Sequence, residues 1–346
     1  MDCFFAAVEA LDDPGLAGKP IAVGGDPGRR GVIATCSYEA REFGIHSAMA
    51  SARAIKLCPD LQILPPRFER YKQLSRQIRE IYSQYTPIIE PLSLDEAYLD
   101  VSGCDQYQGS ATRIAEAIRG QIDNELGLTA SAGIAPNKML AKVASDWNKP
   151  NGQFVITPPE VEAFVWQLPV TKLFGVGKVT AQKLHNQQVK SCGDLQGWSE
   201  QQLQGQFGSF GARLYQLCRG LDDRPLQTQR QRKSLSVERT FLADKVGFEQ
   251  CGAEIDGLLA TFEQRFDASG LSGKVPITTL VMKIKFADFT QTTVQQHGNK
   301  PSLDVYLSLL REGLGRNSQA VRLLGIGVRF GTEPLDDGLQ LGLDID

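Results

Sequence analysis

No run of about 18 apolar residues occurs in this 346-residue chain, so no segment reads as a membrane-spanning helix. The opening residues, Met1-Asp2-Cys3-Phe4-Phe5-Ala6-Ala7-Val8-Glu9, lack the basic start and cleavage site of a signal peptide. The seven cysteines (Cys3, Cys36, Cys58, Cys104, Cys192, Cys218 and Cys251) are odd in number, scattered and never spaced CxxC. That pattern disfavours zinc and a disulfide framework, and suits free thiols in a reducing cytoplasm. There is no internal repeat and no low-complexity tract. Neither sign of charge dominates: the net charge is −3, which argues mildly against a nucleic-acid partner, although local fields and not the total decide that. What remains is an ordinary globular composition, 42% hydrophobic and 22% charged, in a chain too long for one compact core.

Along the chain, residues 3–8 read as a buried strand that begins abruptly. Residues 12–66 are rich in Gly and Pro, with short apolar runs at 21–23 and 31–34, and read as a small inserted subdomain. Leu74, Ile78, Ile81, Tyr82 and Tyr85 fall at helical spacing within residues 67–85. Two strands, 88–94 and 97–101, meet at Asp95-Glu96; a helix (110–125), a strand (129–134) and a further helix (138–147) follow, an α/β pattern. Residues 158–220 are short-helical with glycine turns, and 222–232 are polar, Gln- and Arg-rich, and read as a linker. The last module has the order β-α-β-β-α-β, the ferredoxin-like arrangement.

Asp95-Glu96 is the first candidate for chemistry. Two adjacent carboxylates on a rigid base repel each other, and a hard divalent cation such as Mg²⁺, which prefers oxygen ligands shared with substrate phosphates, would relieve that repulsion. The bland alternative is a solvated acidic turn. Thr35, Tyr38 and Arg41 recur at a spacing of three and are expected on one face of a short helix, where two hydroxyls and a guanidinium could hold a polyphosphate; a plain polar face is the alternative. Lys149, ahead of a Pro-Asn-Gly turn, is a second phosphate candidate or simply a helix-terminal lysine. Phe174-Gly175-Val176-Gly177-Lys178 resembles a helix-hairpin-helix turn, whose free backbone N–H groups suit a DNA phosphate, or an ordinary glycine-capped corner. Lys283 and Lys285 alternate along one strand, and Arg230, Arg232, Lys233 and Arg239 cluster at the linker boundary. That basic face suits backbone tracking of nucleic acid, or is a solvated edge.

Read in order, these segments resemble the Y-family (translesion) DNA polymerases over essentially the whole chain. The carriers are residues 2–9, Ser93-Leu94-Asp95-Glu96-Ala97-Tyr98-Leu99-Asp100, Ala130-Ser131-Ala132-Gly133-Ile134-Ala135, Lys138-Met139-Leu140-Ala141-Lys142, Asn148-Lys149-Pro150-Asn151-Gly152-Gln153, and Arg232-Lys233-Ser234 with Val237-Glu238-Arg239-Thr240. The resemblance implies a right-hand polymerase of α/β and α+β domains. Its palm would be residues 1–10 and 67–157, with small fingers at 11–66. A helical thumb with the helix-hairpin-helix turn would span 158–222, a linker 223–232, and a ferredoxin-like little finger with a C-terminal tail 233–346.

It further implies two Mg²⁺ ions per site held by Asp95 and Glu96, the latter catalytic, with Met1 giving only a backbone carbonyl. Thr35, Tyr38, Arg41 and Lys149 would grip the incoming deoxynucleoside triphosphate, Phe5 would be the steric gate against a 2′-hydroxyl, and Ala34 would be a small residue over the nascent base pair. Gly175, Gly177, Lys178, Arg232, Lys233, Arg239, Lys283 and Lys285 would contact primer–template DNA. Gln340, Leu341 and Leu343 resemble a sliding-clamp peptide. The expected activity is low-fidelity, lesion-bypassing, template-directed synthesis without proofreading, by a cytoplasmic monomer. In the family the first strand carries a metal-binding Asp two residues before the position of Asp2. That strand and ligand are expected to be missing here, which leaves open a DNA- and clamp-binding protein inactive as encoded. A glycoside hydrolase using paired carboxyls is disfavoured by the phosphate-gripping set and the lack of an aromatic sugar platform.

Overall fold

The computed structural model describes residues 1–331. The chain packs as two units, one comprising Met1–Pro27 and Gly31–Gln229, the other Gly28–Arg30 and the residues from Arg230 onward.

The first unit opens with helix α1 (Phe4–Asp12) where a strand is expected. Five successive apolar residues, Phe4 to Val8, carry no period that separates a helix from a buried strand. Here Phe4 and Val8, four apart, face one core with Tyr71, Leu74 and Ile78, and the helix formers Glu9-Ala10-Leu11 continue the turn until Asp13-Pro14 ends it. A small sheet follows: β1 (Ile21–Gly24) pairs antiparallel with β2 (Ile33–Cys36) and parallel with β3 (Gln62–Leu64), and α2 (Tyr38–Glu42) and α3 (Ser51–Leu57) lie between β2 and β3 in sequence. Thr35 is therefore on β2 and not on a helix with Tyr38 and Arg41. Ser37 separates them, capping α2 by accepting the Ala40 N–H (3.3 Å).

Helices α4 (Phe68–Ser83) and α5 (Ala111–Leu126) bury Leu74, Ile78 and Ile81 together with Ile114, Ile118 and Ile122 in one cluster. Between them in sequence, β4 (Ile89–Pro91) and β5 (Ala97–Leu99) form an antiparallel hairpin. After α5, β6 (Ala132–Ile134), α6 (Lys138–Ser145) and β7 (Gln153–Val155) follow, β6 and β7 pairing in parallel. Met1 donates from its nitrogen to the Asp95 carbonyl (2.7 Å) and Asp2 from its amide to Thr129 (3.1 Å), so residues 1 and 2 run between the two short ladders. Gly133 lets α6 lie hard against β6: a Cβ there would stand 2.1 Å from the Ala141 carbonyl oxygen. Five short helices complete the unit, α7 (Val161–Gln167), α8 (Lys178–His185), α9 (Cys192–Gln196), α10 (Glu200–Phe207) and α11 (Ser209–Leu217), around Val165, Leu184, Leu195, Leu203 and Leu214.

In the second unit, β8 (Ser234–Lys245) leads into α12 (Gly247–Gly252) and α13 (Ile255–Ala268). Then β9 (Ile277–Phe286) and β10 (Gln291–His297) precede α14 (Leu303–Leu314) and β11 (Val321–Phe330). The β-α-β-β-α-β order is the expected one. Spatially the strands run β10-β9-β11-β8, every neighbour antiparallel. Alternate residues of β9 (Leu280, Met282, Ile284, Phe286) are buried with Phe262 of α13 and Tyr306 and Leu310 of α14, leaving the other sheet face open. No helix of the described residues is long and apolar enough to cross a membrane, and all seven cysteines are free.

Candidate active site

The β4–β5 hairpin turns at Leu92-Ser93-Leu94-Asp95-Glu96, closed by the Leu92 and Ser93 N–H groups donating to the Glu96 carbonyl (2.9 and 3.3 Å). The Ser93 hydroxyl donates to Asp95 Oδ1 (2.6 Å) and accepts the Asp95 N–H (3.3 Å), fixing that carboxylate on the turn. Lys142 of α6 donates from Nζ to Glu96 Oε1 (2.6 Å), a half-exposed pair. One turn earlier on α6, the buried Lys138 pairs with Glu90 of β4 and lies 5.4 Å from the Tyr98 ring centre, as its i,i+4 spacing to Lys142 allows. Glu90 also accepts the Gln227 N–H (2.9 Å), and Asp222 accepts the Met139 N–H (3.1 Å). These contacts staple the hairpin to α6 and to residues 222–227, around a cleft of about 980 Å³ whose lining includes Asp95, Glu96, Lys142 and Lys149.

Lys149 reaches the Met1 carbonyl oxygen (3.4 Å) and the Asp146 carboxylate (3.4 Å). Beside it stands Asp2, 1% exposed, with Oδ2 accepting the Asn151 N–H (2.9 Å) and Oδ1 the Ser131 hydroxyl (2.7 Å). Burial by itself would raise the Asp2 pKa, but these hydrogen bonds and the Lys149 charge outweigh it and hold the carboxyl below its usual range. The Tyr38 phenol donates to the same Oδ1 (3.5 Å); burial and the Asp2 charge push the phenol up to about 12, so it stays a donor at neutral pH. The Arg41 guanidinium lies 4.6 Å over the Tyr38 ring. The structure thus brings Tyr38, Arg41 and Lys149 around residues 1 and 2, and Ala34 is exposed on β2 beside Thr35.

Phe4 is buried, whereas the half-buried Phe5 stacks on Tyr71 (ring centres 4.2 Å apart, planes 11° apart) with Phe68 at its edge. Tyr71 in turn donates its hydroxyl to Glu9, which Arg67 also clamps (2.9 and 3.0 Å). Motif reading did not foresee this Glu9–Arg67–Tyr71 group or Asp2 as a hub. A buried acid one helical turn from an aromatic was the available signal.

Among the described residues, no group of three or more His, Cys, Asp or Glu stands close enough to hold a metal ion. Asp95 and Glu96 do offer two adjacent hard oxygen donors, which suits a cation that arrives bound to substrate phosphates better than an all-protein cage.

In the turn before α8, Gly175 has φ +92° and an added Cβ would meet Phe210 at 2.8 Å, so glycine is required there; Gly177 caps the helix and Lys178 opens it. On the second unit's open face Lys283 pairs with Glu238 (2.8 and 2.9 Å) and Lys285 lies 5.0 Å from the Phe289 ring centre. Arg239 does not join them. It is in register with Leu324 and, through it, Ile284, which puts it on the helix-covered face, paired with Glu254 (3.4 Å). Arg232 bonds the Ser234 carbonyl (3.2 Å), and Lys233 is exposed. Gln340, Leu341 and Leu343 lie outside the described residues.

Comparison with known proteins gives consistent relatives. The sequence model of the impB/mucB/samB family matches residues 1–146, that of a DNA polymerase-iota thumb domain residues 171–222, and that of the impB/mucB/samB C-terminal domain residues 232–338. The chain is 53% identical over 329 residues to DNA polymerase IV of Ralstonia nicotianae, with 95% of this chain and 92% of that protein covered. It is 54% identical over 329 residues to DNA polymerase IV of Pseudomonas savastanoi pv. phaseolicola, covering 95% and 93%. Among solved structures, a Y-family DNA polymerase chimera of Dbh and Dpo4 superposes with a TM-score of 0.85 at 27% identity, covering 95% of this chain and 96% of the other.

Proposed function

The chain belongs to the Y family of DNA polymerases, and on that premise we propose that it extends a primer 3′ end by template-directed, low-fidelity nucleotidyl transfer that tolerates damaged templates. The observation that carries this reading is one cleft lined by both the Asp95-Glu96 hairpin and Lys149, with the Tyr38–Arg41 pair tied to it through Asp2. Residues 1–10 and 67–157 serve as palm, 11–66 as fingers, 158–222 as thumb, 223–232 as linker and the remainder as little finger.

In this reading Asp95 and Glu96 hold divalent cations, Mg²⁺ by their hard-oxygen preference, with the Met1 carbonyl as a further donor. When bound, such a metal pair lowers the primer hydroxyl pKa and neutralises charge on the α-phosphate and the departing pyrophosphate. Lys142 pairs with Oε1 of Glu96 and so orients that carboxylate on the hairpin. Lys149, Arg41, Tyr38 and Thr35 bind the triphosphate oxygens by charge and hydrogen bonding, and so position the α-phosphate. Phe5, backed by Tyr71, sits under the sugar and excludes a 2′-hydroxyl, while the exposed Ala34 leaves room above the base pair. Gly175, Gly177 and Lys178 hold template–primer backbone, as do Arg232, Lys233, Lys283 and Lys285; Arg239, on the helix-covered face and paired with Glu254, is left out of this set. The tail at Gln340, Leu341 and Leu343 docks a sliding clamp, and the enzyme works as a cytoplasmic monomer.

One observation favours a second reading, DNA binding without turnover: the absence of a three-carboxylate group among the described residues. Single-nucleotide primer extension with Mg²⁺, run beside DNA binding by fluorescence anisotropy and with Asp95→Ala as blank, separates the two. Extension above the blank supports the polymerase. Tight DNA binding with extension equal to the blank supports the second reading, and neither signal overturns both.

A further inference from the structure

Asp2 is a carboxylate 1% exposed that joins the Tyr38–Arg41 pair to the cleft but is given no role in the chemistry above. Its oxygens are turned toward protein donors, Oδ2 to the Asn151 N–H and Oδ1 to the Ser131 and Tyr38 hydroxyls, so it has no free edge for a ligand. Burying a carboxylate is unfavourable unless it is paired and hydrogen-bonded, and here every partner belongs to a segment beside the triphosphate-gripping residues.

Asn151 lies two residues after Lys149 in a left-handed conformation, φ +48°. Its N–H goes to Asp2. Its carbonyl and its Oδ1 both accept from Arg119 Nη2 (2.5 and 2.7 Å), and Arg119 is itself fixed by Nε on the Ala130 carbonyl (2.8 Å). The turn carrying Lys149 is therefore held from inside by Asp2 and from outside by Arg119. A Cβ on Gly152 would stand 2.0 Å from the Asn148 carbonyl oxygen, so the turn packs closely on itself and requires glycine there. On the other side of the same carboxylate, Tyr38 carries Arg41 stacked on its ring.

We propose that Asp2 is a positioning residue for the triphosphate: one buried carboxylate fixes the spacing between the Lys149 turn and the Tyr38–Arg41 pair so that both meet the same polyphosphate. This rests on the reading of Tyr38, Arg41 and Lys149 as triphosphate ligands. Asp2 does not touch the substrate. Its loss weakens phosphate binding and leaves base pairing and primer binding alone.

The test is single-turnover insertion by the full chain for Asp2→Asn, which keeps the shape but sets an amide N–H against one of its donors. Arg119→Gln loosens the same turn from outside and Ser131→Ala removes one donor. For Asp2→Asn the nucleotide KM rises about tenfold, as expected for losing one charge-assisted hydrogen bond, by the same factor for all four nucleotides. The Ki of inorganic pyrophosphate rises in parallel, with the maximal rate within about threefold and DNA affinity unchanged. Arg119→Gln moves the same way, and Ser131→Ala less. A merely structural role would lower the active fraction at constant KM and leave the pyrophosphate Ki alone, and that outcome overturns the proposal. Lys149→Ala and Tyr38→Phe, measured alongside, distinguish the failures. If they raise the nucleotide KM and Asp2→Asn does not, the proposal alone fails; if they do not, the triphosphate reading itself fails.

Discussion

The hairpin that bears Asp95 and Glu96 and the sheet of the second unit are built on opposite plans. The hairpin strands are three residues long, partly exposed, and secured by polar staples: Ser93 on Asp95, Lys142 on Glu96, Lys138 on Glu90. The second unit has strands of 12, 10, 7 and 10 residues over a dry cluster of Leu, Ile, Met and Phe. Apolar packing is non-directional and tolerant, whereas a polar staple sets one geometry and holds it only while both partners are present. The Asp95-Glu96 hairpin therefore carries direction at the expense of robustness, and the carboxy-terminal sheet the reverse.

Phe262→Ala, at a fully buried ring of α13, is the largest blow to the apolar plan: about 3–5 kcal/mol lost from the second unit. Differential scanning calorimetry should show its transition moving down, with the insertion rate at saturating substrates unchanged below that transition. Asp95→Ala is the converse: insertion falls about 10²- to 10³-fold or more by rapid-quench assay, while the melting temperature hardly moves. Gly133→Ala breaks the contrast, since its Cβ drives α6 away and α6 carries Lys138 and Lys142. A stability loss of about 1–3 kcal/mol by urea titration and a drop in insertion should come together.

Acid sharpens the contrast. For Asp2, burial raises the carboxyl pKa but hydrogen bonds more than reverse it; for Asp222, burial is likewise outweighed by Arg224 and the Met139 N–H. Groups whose folded pKa is depressed give stability that is present above the unfolded value, about 3.9, and lost as pH falls through the lower folded value. Amide exchange followed below pH 4 should show the segments tied by Asp2 and Asp222 loosening as these carboxyls protonate. Smallest of all, Glu238→Gln frees Lys283 from a half-exposed pair. Stability should shift by less than about 1 kcal/mol, and DNA affinity at low salt should rise about two- to threefold.

Much of this was legible beforehand because its signals are local. Strand alternation in β9, the 3.6-residue period of α4 and the hairpin at Asp95-Glu96 each lie within one short window. Phe4–Val8 misled because five apolar residues in a row have no period, and the core of Tyr71 and Ile78 that decides for a helix lies some way along the chain. Thr35 misled because a spacing of three ignores the Ser37 cap that ends β2. Charge alone puts Arg239 in the basic cluster at the linker boundary, next to the Lys283 face, whereas strand register assigns it the opposite face. The partners of Glu96 and Asp2 were not legible at all: Lys142 is 46 residues from Glu96, and Asn151 is 149 from Asp2.

Those separations set an order of events on the ribosome. The sheet β1–β3 closes entirely within residues 21–64, so it can form while the nascent chain is short. The first two residues, by contrast, wait for partners at Asp95, Thr129 and Asn151, and loop closure over such distances is slow. The cleft lined by Asp95, Glu96 and Lys149 is thus among the last parts of its unit to close, later than a sheet whose pairing is complete by residue 64.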